Sequence, residues 1–309
     1  SEALGLQPRI GGAWDQGGAA NIGLVSMAVA SVMAGQCSVA LVCYADNPRT
    51  GNRKAFARPR GDDAIYGWFS TAAGYAMIQQ RHRIEFGTAD EALGAIAIAC
   101  RRHGAGNPAA QLRKPLTMDE YLASPWIVEP LRRDDCCLVS DGGAALVVTS
   151  EATASRLGVP APVPILGIGQ CQTSWDVHLR PSLTRTCATT SAQMAFEAAG
   201  LGPDAIDVAQ LYDCFTITVL MTLEDYGFCA KGAAGDFVRD GQIEIDGRLP
   251  LNTSGGLLSE TGMPGMQLII EGVRQMRGTA RLQVPGARHC LVSNQGGTMH
   301  THSTLILGR

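Results

Sequence analysis

The stretch GGAANIGLVSMAVASVMAGQCSVALVCY, Gly17 to Tyr44, decides the fold. The glycine pair Gly17 and Gly18 precedes an apolar run, Ile22 to Met33; Gly35 ends it, and Cys37 to Tyr44 reads as a strand. An apolar run of that length fits a buried helix, and glycine just past its end readily takes the left-handed conformation that stops one. Further along, Gly142 and Gly143 lead a second strand, Ala144 to Thr149. The order then returns. Gly255 and Gly256 precede Met266 to Met276, Gly278 ends it, His289 to Ser293 is a strand, and Gly296 and Gly297 lead Ser303 to Leu307. Such a repeat predicts two similar α/β halves.

Residues 1–159 form the first predicted half and 160–309 the second, with the Pro-bracketed segment Pro160 to Pro164 crossing between them. Ahead of its glycine pair the second half carries a strand (Val163 to Gln170), a helix (Ser191 to Ala199), a strand (Asp207 to Tyr212) and a helix (Thr216 to Tyr226). The first half has only 16 residues there. Equivalent halves would place roughly 75 further residues before it, judged by the second copy. The strands are short apolar runs without clean alternation, so each is expected to be covered on both faces in stacked layers of helix and sheet. Residues 46–141, rich in Arg, Pro and Gly, read as an inserted loop region. Within it lie a helical pattern from Asp90 to Arg102 and a Thr117 placed to cap Glu120. A second polar excursion, Lys231 to Pro250, holds turns at Arg239 to Gly241 and Asp246 to Gly247.

Composition narrows the function. At 309 residues and 46% hydrophobic the chain can bury a large core, and a formal charge of -3 supplies no global field for nucleic acid. Ten cysteines at irregular spacing, most inside apolar runs, read as reduced thiols of a cytoplasmic protein, and no CxxC pair suggests structural zinc. Neither a signal peptide nor an apolar run of spanning length is present, although a longer front end would hide a targeting sequence.

Four blocks carry a resemblance: PLTMDEYLASPWIVEPLRRDDCCLVSDGGAALVVTS (Pro115 to Ser150), YDCFTITVLMTLEDYGFC (Tyr212 to Cys229), GDFVRDGQIEIDGRLPLNTSGGLLSE (Gly235 to Glu260) and EGVRQMRGTARLQVPGA (Glu271 to Ala287). Together they resemble the SCP2-type, lipid-transfer-protein-like branch of the thiolase superfamily over nearly the whole chain. The resemblance implies the thiolase fold, a duplicated α/β half stacked in five layers (αβαβα), with acyl-coenzyme A substrates and usually dimers. It also implies that the front of the first half is missing from this sequence.

The catalytic pattern departs from that family. Thiolases place a nucleophilic Cys at the start of the first repeat's helix, where dipole and backbone amides lower its pKa; here the stretch is Gly17, Gly18, Ala19, Ala20, Asn21. Their His after the second glycine pair has no counterpart in Ser259 to Gly265, and their final Cys is absent from Ser293, Asn294, Gln295, Gly296, Gly297. Losing thiolate, base and proton donor together removes the acyl-enzyme route. Glycine-rich turns can still hold a thioester oxygen as charge develops on it, which suits retro-aldol cleavage of a β-hydroxyacyl-CoA. The resemblance is closest to thiolase-like aldolases that cut steroid side-chain CoA esters with a zinc-containing OB-fold partner of the DUF35 family. It implies a homodimer joined by that partner into a heterotetramer, no permanently bound cofactor, and coenzyme A entering as part of the thioester.

Candidate site residues follow. Tyr212 ends a predicted buried strand where SCP2-type thiolases have His or Asn, so its phenol is expected to face the thioester, although a free phenol titrates near ~10. His300 and His302 follow the last glycine turn two residues apart, on one face if they lie on a strand. Glu260 occupies the loop of the missing histidine and would serve as an acid if burial raises its pKa. Asp213 is expected to point away from the site and hold a helix start. Gly17, Gly18, Gly255, Gly256, Gly296 and Gly297 are expected to converge on the ligand. Arg53, in a run with Arg49, Lys54, Arg58 and Arg60, suits the phosphates of coenzyme A. Trp14, Trp68, Trp126 and Trp175 fit either a bulky pocket or the core. Two other readings stay open: a thiolase or acyltransferase using a displaced Cys187 or Cys214, and a non-catalytic acyl-CoA or lipid-binding subunit.

Overall fold

The computed structural model describes residues 2–51, 65–68, 70–174 and 177–309. In chain order its elements are α1 (Ala20–Met33), β1 (Val39–Asp46), α2 (Thr71–Phe86), α3 (Asp90–Ala105), α4 (Met118–Leu122), β2 (Trp126–Val128), β3 (Leu131–Arg132), β4 (Gly142–Thr149) and α5 (Glu151–Arg156). There follow β5 (Ile165–Gln172), α6 (Ala188–Ala199), β6 (Val208–Gln210), α7 (Thr216–Asp225), α8 (Ala234–Arg239), α9 (Gly256–Ser259), α10 (Met266–Arg277), β7 (His289–Gly296) and β8 (Thr301–Gly308). Both predicted glycine stops hold: Gly35 (φ 69°) and Gly278 (φ 71°) take the left-handed conformation just past α1 and α10.

The strands make a four-stranded sheet in the order β5–β8–β7–β6, parallel only between β6 and β7, and a separate antiparallel pair, β1 and β4, running from Val39↔Thr149 to Asp46↔Gly142. The larger sheet has a core on each face. Leu291 and Ile306 pack with Tyr75, Ile78, Leu93 and Leu220 on one side. Val292 and Leu305 pack with Ile22 and Val25 of α1 and Met266 and Leu268 of α10 on the other. This explains the unbroken apolar runs of β7 and β8. Helix α1 touches both sheets, and α10 touches β4, β6, β7 and β8. The described layers are therefore the helices α2, α3, α6 and α7, the large sheet, the pair α1 and α10, and the sheet of β1 and β4.

Two expectations need correction. Strands β1 and β4 are not covered on both faces: Val39, Leu41 and Val147 are exposed, because α1 covers one face and no described helix covers the other. Each forgoes much of the roughly 1.5–3 kcal/mol that full burial contributes. Nor is 46–141 a loop region. It holds α2, α3, α4 and the β2–β3 hairpin, and its Tyr75, Ile78, Leu93, Ile96 and Tyr121 are core residues. The expected helix from Asp90 is α3, and Thr117 makes a complete capping box with Glu120. Helix α2 is hidden in the sequence because its buried face includes Gln79 and His82 amid further polar residues.

Asp213 holds a helix start, as its place in the sequence implies. Its buried carboxylate accepts the amides of Leu257 (2.8 Å) and Leu258 (3.2 Å) at the head of α9. Burial nonetheless wins and lifts its pKa from 3.8 to about 6, against the pull of those amides. A carboxyl raised in the folded state contributes fully below its unfolded pKa and loses that contribution as pH rises through the folded value, here about 3 kcal/mol. Asp213→Asn cannot ionise; it keeps one of the two acceptor oxygens and sets an NH2 group against the other backbone amide, a cost that does not vary with pH. Relative to the unaltered chain it is expected to gain stability between about pH 4 and about pH 7 in urea unfolding; a difference constant with pH would sink this account.

Candidate active site

Two of the three glycine pairs meet. A β-carbon on Gly17 would stand 3.1 Å from Gly296 Cα and 3.3 Å from Gly297 N, and one on Gly296 would overlap the Gln16 carbonyl. Main chain lies on main chain here because side chains are absent. Thr301 Oγ1 donates to Gln16 O (3.2 Å) and Ser303 Oγ to Ala19 O (3.0 Å), pinning the head of α1 to β8. The third pair goes elsewhere: Gly255 packs on Gly104 of α3, and Gly256 lies against the Asp213 carboxylate. The pair opens the short α9, while α10 is opened by Gly265 (φ 78°).

Tyr212 lies two residues beyond β6 and is 8% exposed. Its backbone N–H donates to Ser293 Oγ (3.2 Å), and its carbonyl accepts Thr218 Oγ1 (2.7 Å). The phenol then reaches the glycine turns, since a β-carbon on Gly18 would overlap both the Tyr212 hydroxyl and the Gln295 carbonyl. Burial, with smaller contributions from Cys214 and Cys137, pushes its pKa well above 10. The group is a protonated donor.

His300 is buried but precedes β8, so it sits in the turn and not on a strand with His302. Its ring lies against the Gly297 backbone, and its backbone N–H donates to Gly296 O (3.2 Å). His302 takes a separate place, its Nδ1 3.3 Å from the Tyr226 hydroxyl, with burial lowering its pKa to about 3. Glu260 is buried too, and burial raises its pKa. Its carboxylate is held by Ser254 Oγ (2.5 Å) and by Asn107, which lies just past α3. Arg53, Lys54, Arg58, Arg60 and Trp175 lie outside the described residues.

In the sequence Asn294 reads only as a replacement for cysteine. It is fully buried on β7 beside Gly265, and neither its amide nitrogen nor its amide oxygen has a hydrogen-bond partner. Leaving one such atom unpaired costs about 1–3 kcal/mol. Asn21, in the first turn of α1, donates to the Pro264 carbonyl just before Gly265, so the heads of α1 and α10 join where Asn294 stands. The signal in the sequence is an asparagine in each of the two glycine loops.

All ten cysteines are free. Burial pushes Cys214 and Cys187 up to about 12, so both are thiols near neutral pH. Cys214 is occupied as the acceptor of Gln295 Nε2 (3.3 Å). Among the described residues no His, Cys, Asp and Glu group suited to a metal occurs, and no helix is long and apolar enough to cross a membrane.

Residues 169–309 match the family model described as thiolase C-terminal domain-like. Over 94% of its length the chain is 40% identical to a steroid side-chain-cleaving aldolase of Thermomonospora curvata, covering 78% of that protein. It is 39% identical to the 17-hydroxy-3-oxo-4-pregnene-20-carboxyl-CoA lyase of Mycobacterium tuberculosis, covering 94% of this chain and 80% of that one. The solved structure of an Ltp2-ChsH2(DUF35) aldolase superposes with a TM-score of 0.86 at 38% identity, over 94% of this chain and 78% of that one. The chain belongs to the thiolase superfamily, in the SCP2-type, lipid-transfer-protein-like branch that includes the steroid side-chain-cleaving aldolases.

Proposed function

We propose that the chain is a carbon-carbon lyase that cleaves a β-hydroxyacyl-CoA of steroid side-chain type by a retro-aldol route without a covalent acyl-enzyme. One observation carries the reading: at the head of α1, where a thiolase keeps its thiolate, a neutral buried phenol and the Gln295 carbonyl both lie against Gly18, and the residue before Gln295 on the strand is the unpaired amide Asn294. These groups handle protons and oxyanions. They do not form acyl bonds.

In the proposed reaction His300 takes the proton of the β-hydroxyl, whose carbon becomes a ketone or aldehyde as the Cα–Cβ bond breaks. The bonding pair passes to the thioester as an enolate. Its oxygen is received by the Asn294 amide and the positive end of α10, and Tyr212 returns a proton to Cα. The proton on His300 then restores the phenol, so the balance closes on a carbonyl product and a shortened acyl-CoA. The high pKa of Tyr212 suits the acid role, because an enolate carbon is more basic still.

The same reading includes two duplicated halves, 1–159 and 160–309, in five layers, supported by the four described layers and by the matching antiparallel pairs β1–β4 and β7–β8. It includes a homodimer joined by a zinc-containing OB-fold DUF35 protein into a heterotetramer, supported by the likeness to the Ltp2-ChsH2(DUF35) aldolase structure. A cytoplasmic setting is supported by ten free thiols. Arg53 remains the proposed phosphate contact and Glu260 an auxiliary acid.

With its DUF35 partner, the chain is expected to release a ketone or aldehyde from a β-hydroxyacyl-CoA and to withstand iodoacetamide. Binding without release in the assembled complex would end the lyase reading. Tyr212→Phe is expected to lower kcat about a hundredfold or more with the melting temperature unchanged; turnover within a factor of two would remove Tyr212 from the mechanism. Asn294→Ala removes an unpaired amide, so it is expected to keep the fold and lose about a hundredfold in kcat, the scale of one oxyanion donor. Gly18→Ala drives a methyl into the phenol and the Gln295 carbonyl. It is expected to match the Tyr212→Phe loss while retaining the phenol, and wild-type turnover would show that the contact does not matter.

A further inference from the structure

Helix α2 and the segment 177–183 line an open cavity of about 1140 Å3. Its wall is mainly apolar, including Trp68, Ala76, Met77, Ile84, Val128 and Leu183. Small-ligand pockets commonly measure about 300–1,000 Å3, so a four-ring body fits inside this one. The cavity stands close to the reaction site without being part of it. Ala73, Ala76 and Met77 line it from one side of α2, whereas Tyr75 of the same helix stacks on Phe215 (4.4 Å) and donates its hydroxyl to Gly297 O (2.6 Å).

Charge narrows the occupant. Of the cations in the wall, Arg81 is paired with Glu85 (2.6 Å) and Arg83 with Asp90. Arg180 has no carboxylate partner among the described residues. Its Nε donates to Ser174 O (3.4 Å), and its Nη2 is buried with no hydrogen-bond partner. A guanidinium does not shed its proton in a protein, so a partly buried one needs an anion. Glu129 also lines the wall, which weighs against a ligand carrying several phosphate charges. One unpartnered Nη2 suits one carboxylate oxygen.

We infer that this cavity binds an apolar carboxylic acid, its body against Trp68, Met77 and Ile84 and its carboxylate on Nη2 of Arg180. The inference stands apart from the lyase reading, and binding alone tests it. Titration of the full chain with deoxycholate below its micelle-forming concentration is expected to show saturable binding by calorimetry. A matching fluorescence change is expected to vanish in Trp68→Phe. Arg180→Met is expected to weaken binding about tenfold or more, the scale of a charged hydrogen bond. Deoxycholate methyl ester keeps the body and loses the charge, so it is expected to bind the unaltered chain more weakly by a similar factor, an arm that stands even where the variant fails to fold. Absence of saturable binding, equal affinity for acid and ester, or undiminished affinity in a folded Arg180→Met overturns the inference.

Discussion

The close seating of two glycine turns, Gly17–Gly18 on Gly296–Gly297, is the constraint on which the rest depends. Backbone can approach backbone at 3.1–3.3 Å from a would-be β-carbon only where that carbon is missing. That contact brings the head of α1 to the end of β7 and leaves room beside Gly18 for one phenol. It also joins chain segments nearly 280 residues apart, from opposite ends of the described structure. A side chain at either turn would separate the helix head from the sheet and take the site apart.

Polar groups around this seat are buried at a cost, and the fold offsets only part of it. Asp213 receives two backbone amides and still ends above its ordinary pKa, because burial outweighs them. Tyr212 is held from both sides along its backbone, leaving its hydroxyl fixed against main-chain atoms. Asn294 receives no partner at all. A core that keeps an amide in this state gives up stability at the place where chemistry is proposed, the pattern expected where function competes with packing.

Much of this is legible in the sequence because it rests on local chemistry. The glycine stops of α1 and α10, the apolar strands β7 and β8, the Thr117–Glu120 capping box and the structural role of Asp213 follow from residue type and spacing alone. What is not legible depends on distant neighbours. Helix α2 hides its buried face among Gln79 and His82, whose burial is made tolerable by the Pro130 carbonyl and by Glu224 and Thr88. The alternation on β1 and β4 is blurred by apolar residues that stay exposed. Gly255 and Gly256 look like the other pairs in sequence, yet their partners are Gly104 and Asp213. Asn294 stands out only as a missing cysteine, since an unpaired amide is a property of surroundings.

The state of the sulfur atoms sets how this protein meets oxidants. Thiolates attack peroxides and disulfides and are oxidised in doing so, and enzymes of this superfamily that acylate a cysteine must keep one ionised and reachable. Here Cys137, Cys187, Cys214 and Cys290 are all held as thiols by burial, and the head of α1 carries alanine and asparagine in their stead. The proposed reaction centre, a phenol, an imidazole and an amide, has no sulfur to lose, so catalysis of the proposed kind tolerates oxidative stress that would silence a thiolate enzyme on the same scaffold.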